Sequence, residues 1–230
     1  IHLTFDSYRK CDPMTSTPHS FTALIFDLDG TLIDSAPDMA AAVNRYLVAR
    51  GWPAQETTYV ERFIGHGPRR LLQDMFTDLQ LPTSVASIDA AHVAFMELYW
   101  QSPTRLTQFY PNVAADLHSL HAAGIALGLC TNKPQALTLR ILDQLAIAHL
   151  FRTVVGADAV PACKPNPGHL LAVAGKMGLQ HGTWAYVGNS GIDQATALAA
   201  DVPFFVVPWG GGARVKVADC YRLTRLRDLL

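Results

Sequence analysis

The sequence predicts an α/β protein: a doubly wound parallel sheet with a Rossmann-like core, into which a helical cap domain is inserted. Three observations carry the expectation. From Phe21 onward, short apolar runs alternate with amphipathic stretches. Several of those runs stop abruptly at polar clusters. One long segment after the first run holds helical patterns and no convincing strand. Alternation of this kind implies right-handed βαβ crossovers and a parallel sheet covered on both faces.

Taken in order, Ala23 to Phe26 reads as a buried strand because it is continuously apolar and ends at acidic residues and Gly30. Ser35, suited to N-capping, and Pro37, suited to a first turn, open a helix that stops at Gly51. Helical stretches follow near Thr57 to Ile64, Pro68 to Leu79 and Ser87 to Trp100. In the last of these, Phe95, Tyr99 and Trp100 are spaced as cap core. The alternation resumes after Pro103, with helices at Val113 to Ala123, Pro134 to Leu145, Pro167 to Met177 and Gln194 to Ala200. Strands are expected at Ile125 to Cys130, Thr153 to Val155, Trp184 to Val187 and Phe204 to Val207. The expected division is a tail over residues 1–20, a catalytic core over 21–36 and 104–230, and a cap over 37–103. Met14 precedes a polar stretch, so residues 1–13 are expected to precede the natural start and to carry no function.

Composition narrows the function. With 18 Lys+Arg against 19 Asp+Glu, a net charge of -1 supplies no global basic field for nucleic acid or an anionic membrane. Any anionic ligand must therefore be met by a few local groups. Cys11, Cys130, Cys163 and Cys220 are far apart and form no Cys-x-x-Cys pair, which argues against a zinc site or a disulfide framework. No export signal is visible, and a cytoplasmic location fits best.

Ligands of such a sheet bind at the carboxyl ends of the strands, where this sequence is unusually polar. The clusters are Asp27-Leu28-Asp29-Gly30-Thr31, Thr131-Asn132-Lys133, Lys164-Pro165-Asn166-Pro167 and Gly188-Asn189-Ser190-Gly191-Ile192-Asp193. Two carboxylates one residue apart can share one site, where the first attacks and the second manages a proton. Phosphoryl transfer needs an in-line nucleophile and positive charge around the equatorial oxygens. Each cluster alone has a plainer reading, as a solvated turn, a helix cap or a loop lysine. Their common order at strand ends favours chemistry.

This ordered set resembles the haloacid dehalogenase-like superfamily, most of whose members are magnesium-dependent phosphatases. The helical insert and Asp34-Ser35-Ala36-Pro37-Asp38 look like its phosphoglycolate phosphatase branch. The resemblance implies that Asp27 is the nucleophile forming an aspartyl-phosphate and that Asp29 is the acid and base. It implies that Thr131 and Asn132 hold the phosphoryl group and that Lys164 neutralises charge. Mg²⁺ would be held by Asp27, Asp29 through its carbonyl, Asn189 and Asp193. The expected substrate is a small phosphorylated metabolite, 2-phosphoglycolate being favoured. Neither nucleic acid nor a membrane is an expected partner, and the oligomeric state is left open.

One position departs from the pattern. Asn189 stands where the family usually has aspartate, which removes a negative charge from the metal site and predicts weaker metal binding. A tolerated variant, an altered activity and an introduced change all remain open. In the cap, Arg62, His66, Arg69 and Arg70 surround a Gly65-His66-Gly67 turn suited to presenting a cation such as His66 or Arg69 to a substrate carboxylate, with ordinary surface residues as the alternative. Rival functions are a sugar phosphomutase of the same superfamily, disfavoured because Ala36-Pro37-Asp38-Met39 lacks a histidine, and a metal-impaired, non-catalytic phosphate-binding homologue. A dehalogenase would not need Asp29. A phosphonate hydrolase would want a cap lysine, and residues 47–100 contain none.

Overall fold

A computed structural model describes residues 21–230, so the expected tail and the stretch 1–13 within it lie outside the described residues. The described chain divides into an α/β unit, residues 21–33 with 109–230, and a helical unit, residues 34–108.

The α/β unit is organised around β1 (Ala23–Phe26), whose side chains are all buried. It pairs in parallel with β4 (Ala126–Cys130) on one side and β6 (Trp184–Gly188) on the other. With β5 (Phe151–Val155) beyond β4 and β7 (Phe204–Val206) beyond β6, the five-stranded sheet has the order β5-β4-β1-β6-β7. Apolar burial on both faces explains why these strands read as continuous hydrophobic runs. The crossovers are α5 (Val113–Ala122), α6 (Gln135–Gln144), α7 (Pro167–Met177) and α8 (Gly191–Ala199). One part of the core gathers Ile25, Leu170, Val173, Met177, Tyr186 and Phe204. Cys130 and Cys163 are free thiols, whereas Cys220 is disulfide-bonded. The disulfide at Cys220 runs against the expectation drawn from cysteine spacing.

The chain leaves and re-enters the α/β unit through two short strands the sequence did not suggest, β2 (Ile33–Asp34) and β3 (Gln108–Phe109). Each is two residues long, too short to produce a periodic signal.

The helical unit contains α1 (Ala36–Val48), α2 (Thr57–Glu61), α3 (Pro68–Asp78) and α4 (Val85–Gln101). Its core includes Val43, Leu47, Leu72, Phe76, Ile88 and Phe95, with the Trp52 and Phe76 rings edge to face at 5.8 Å. Ser35 occupies the N-cap position of α1 but makes no side-chain cap hydrogen bond. Its hydroxyl lies 3.8 Å from the Met39 sulfur, while the preceding Asp34 carboxylate accepts from the Ala36 N–H at 3.2 Å. α4 starts earlier than expected because Ser84 caps it, accepting from the Ser87 N–H at 3.2 Å. Phe95 and Tyr99 are core residues, but Trp100 is exposed, because i+5 has rotated off the buried face.

Candidate active site

The residues just past the end of each strand build the site. Beyond β1, the Asp27 N–H still donates to the Val187 carbonyl at 3.0 Å, after which the chain folds into a tight loop. The N–H groups of Thr31, Leu32 and Ile33 all converge on the Leu28 carbonyl. Gly30 makes this turn possible at φ 81°, where a Cβ would overlap the Asn189 side chain. Asp27 is thereby left at the strand end, buried, and Asp29 one step further, partly exposed.

Lys164 supplies the cation. Its ammonium lies 2.8 Å from Asp27 Oδ1, 2.7 Å from Asp193 Oδ1 and 2.8 Å from the Tyr186 hydroxyl. Its main chain is fixed as well: its carbonyl accepts from Asn132 Nδ2 at 2.9 Å and its N–H donates to His169 Nδ1 at 3.3 Å. With Nδ1 accepting, Nε2 of His169 carries the proton and donates to the Val155 carbonyl at 3.1 Å. Burial pushes this imidazole down to about 4, in keeping with a neutral ring.

Burial pushes the Asp27 carboxyl up to about 7; Lys164 opposes the shift and the nearby Asp193 adds to it. Burial also works against the Asp193 carboxylate, but Lys164 outweighs it, and Asp193 stays below the usual range. For Lys164, burial is outweighed by Asp193 and Asp27, so the ammonium is held charged. Tyr186 was not foreseen as a site residue. A tyrosine in a fully buried strand must find a partner for its hydroxyl, and that was the available signal. Its OH bridges Lys164 and Asp193 Oδ1, the latter at 2.8 Å, while burial, followed by Asp193, keeps the phenol well above its ordinary value.

Thr131 follows β4 directly, its N–H donating to the Val155 carbonyl at 3.2 Å and its Oγ1 accepting from the Lys133 N–H at 3.2 Å. Lys133, also not singled out beforehand, is buried with its ammonium 3.2 Å from Asp29 Oδ1.

The expected metal ligands are employed unequally. Asn189 is engaged at both ends of its amide: its Oδ1 accepts from the Thr31 hydroxyl at 2.9 Å and its Nδ2 donates to the Gly210 carbonyl. That carbonyl belongs to the glycine run after Trp209, whose indole N–H donates to the Thr31 carbonyl at 2.9 Å. Gly210, at φ 56°, packs so close to the Gly30 carbonyl that a Cβ has no room there. Asp193 has both oxygens in use, Oδ1 as above and Oδ2 in a capping box with Ser190, whose hydroxyl donates at 2.6 Å. Among the described residues no three His, Cys, Asp or Glu side chains gather as a metal centre. The strand ends nonetheless offer a hard cation the Asp27 carboxylate, the Asp29 main-chain carbonyl and the Asn189 amide oxygen, a donor chemistry suited to Mg²⁺.

In the helical unit Arg69 is engaged with Asp89, Nε donating to Oδ1 at 2.9 Å, and both side chains are about half exposed. His66 is exposed in the turn before α3. No helix among the described residues is long and apolar enough to cross a membrane.

Comparison with known proteins gives a consistent picture. The chain is 39% identical over 181 residues to a protein of Cereibacter sphaeroides named phosphoglycolate phosphatase, covering 79% of this chain and 82% of that one. A second phosphoglycolate phosphatase, from Vibrio cholerae, is 36% identical over 83% of this chain and 86% of its own. Among solved structures, a predicted phosphoglycolate phosphatase from Haemophilus somnus superposes with a TM-score of 0.79 at 27% identity, covering 91% of this chain and 96% of that one. The sequence profile described as haloacid dehalogenase-like hydrolase matches residues 24–207, from within β1 to just past β7. With that span taking in every strand of the sheet and all the polar strand ends, the chain belongs to the haloacid dehalogenase-like hydrolase family.

Proposed function

We propose that the protein is a phosphatase that hydrolyses a small phosphomonoester through an aspartyl-phosphate on Asp27, with Mg²⁺ as cofactor and 2-phosphoglycolate as the favoured substrate. The observation that carries the reading is the buried Asp27 carboxylate at the end of the central strand, 2.8 Å from the Lys164 ammonium. The relatives' names support the substrate. A phosphorylated metabolite of this kind suits a cytoplasmic enzyme.

An Asp27 oxygen attacks phosphorus in line while the ester P–O bond breaks, its electron pair going to the leaving oxygen, which takes a proton from the Asp29 carboxyl. Asp29, now a carboxylate, accepts a proton from water as the water oxygen attacks the acyl-phosphate. The bond from phosphorus to Asp27 breaks, restoring the carboxylate and releasing phosphate. Lys164 balances charge on Asp27 and on the incoming phosphoryl oxygens, and Thr131 and Asn132 hold those oxygens. Mg²⁺ would be held by Asp27, the Asp29 carbonyl and Asn189, with Asp193 acting on it through Lys164 and the loop it caps; it would neutralise phosphoryl charge. In the helical unit, His66 and Arg69 are read as groups for the substrate's remaining part.

Asp27→Asn tests the reading, because removing a nucleophile costs on the order of 10⁴-fold or more in kcat. Retention of more than about a hundredth of the rate would overturn the assignment. The second reading, a phosphate-binding homologue without turnover, is favoured by one observation: Asn189 already spends its oxygen on Thr31. Phosphate release from 2-phosphoglycolate by the unaltered chain, with and without Mg²⁺, separates the two.

A further inference from the structure

The two carboxylates of Asp27-Leu28-Asp29 meet different buried ammonium groups. Lys164 serves Asp27, and Lys133 lies 3.2 Å from Asp29 Oδ1 with only 2% of its side chain exposed. Burying a lysine is costly unless the charge is paired, and this one is held in place along its backbone. Its N–H donates to Thr131 Oγ1 at 3.2 Å, and its carbonyl accepts from the Ala157 N–H at 3.1 Å. A Cβ at Gly156 would run into that same carbonyl and the Gln135 main chain, so the β5 exit loop packs tightly behind it. Pro134, the N-cap, comes next and α6 begins at Gln135, so Lys133 stands two residues before a rigid element. The ammonium therefore has a fixed origin.

Asp29 receives that ammonium. Its loop is pinned at the Leu28 carbonyl, and its side chain, 11% exposed, meets the Lys133 ammonium through Oδ1. A carboxyl that must meet a leaving oxygen at hydrogen-bond distance loses efficiency when it swings freely. We infer that Lys133 is a positioning residue that fixes the direction of the Asp29 carboxyl, so that Asp29 delivers its proton to the leaving oxygen. This rests on the reading of Asp29 as the proton donor. It assigns a role to the third residue of Thr131-Asn132-Lys133 distinct from the phosphoryl contacts given to the first two.

The readout is the dependence of kcat/KM on the leaving group, because that parameter covers the step in which the leaving oxygen departs. From 4-nitrophenyl phosphate the leaving 4-nitrophenolate departs without help from an acid, whereas the alkoxide leaving from 2-phosphoglycolate, an alkyl ester, needs the proton. Lys133→Met is expected to lose on the order of tenfold to a hundredfold in kcat/KM with 2-phosphoglycolate and at least several-fold less with 4-nitrophenyl phosphate. Lys133→Arg, which keeps the charge, is expected to recover part of the difference. In an Asp29→Asn background, Lys133→Met is expected to add no further leaving-group dependence. Lys133→Gln, which keeps a donor on a flexible stem, carries the same comparison if the Met variant does not fold. Equal losses on both substrates for the Lys133 variants, with Asp29→Asn still selective for the alkyl ester, would overturn the inference alone. Equal losses for Asp29→Asn itself would overturn the proton-donor reading and the inference with it.

Discussion

Each unit buries an aspartate, and the two are treated in opposite ways. In the helical unit Asp38 accepts from the main-chain N–H groups of Leu106 and Thr107 and from the Thr107 hydroxyl, the last two at 2.7 Å. Neutral donors satisfy the carboxylate and tie α1 to the end of the cap segment. In the α/β unit Asp27 is buried to a similar extent but leans on one ammonium shared with Asp193, and burial pushes it up to about 7. Hydrogen-bonded burial makes a structural carboxylate, whereas poorly compensated burial keeps one reactive. The charges of the helical unit outside this network are mostly on its surface, as with Arg70 and Asp74.

The same substitution at the two positions should therefore have opposite consequences, and this is the largest effect expected. Asp27→Asn should abolish turnover yet leave stability at pH 8 equal or higher. A carboxyl whose pKa is raised on folding stabilises most below its unfolded value near 3.8, and that contribution is lost as pH climbs through about 7. Asp38→Asn should instead cost about 1–3 kcal/mol in denaturant unfolding, since an amide cannot accept all of those bonds, with kcat changed less than about tenfold. A destabilised Asp27→Asn together with an unaffected Asp38→Asn would break the comparison.

A second, smaller effect concerns Asn189. An aspartate there would turn an oxygen toward the Gly210 carbonyl where the amide now donates. Without Mg²⁺, Asn189→Asp is expected to lower the melting temperature by several degrees, roughly 1 kcal/mol. With Mg²⁺ it should recover more than the parent does, and its half-saturating Mg²⁺ concentration should fall. Equal Mg²⁺ responses in melting and activity would remove position 189 from the metal site.

The smallest effect is expected at Arg69. Its pair with Asp89 is half exposed, so Arg69→Ala should change stability by no more than about 0.5 kcal/mol. If Arg69 serves the substrate, KM for 2-phosphoglycolate should rise several-fold more than KM for 4-nitrophenyl phosphate, and an unchanged ratio would leave it as a surface residue.

Features with local causes were legible in the amino acids themselves. Continuous apolar runs marked the strands from Ala23, Ala126 and Trp184, because a strand buried on both faces has no polar side to show. The polar clusters at their ends marked Asp27, Thr131, Lys164 and Asn189 as neighbours, because a parallel sheet brings all its carboxyl ends to one edge. Which of those groups touch is settled only by long-range packing. Nothing in the spacing of Lys133 from Asp29, or of Tyr186 from Lys164, distinguishes a pair from two solvated residues; the order β5-β4-β1-β6-β7 and the tight exits of β4 and β5 make them meet. The same is true of Asn189, whose residue type suggested a weakened metal ligand and whose surroundings give its amide to Thr31 and Gly210. Helix ends show the limit at short range: Ser35 has the chemistry of a cap, but Asp34 holds the Ala36 N–H. A side chain's type sets which bonds it can make, and the backbone from distant parts of the chain selects among them.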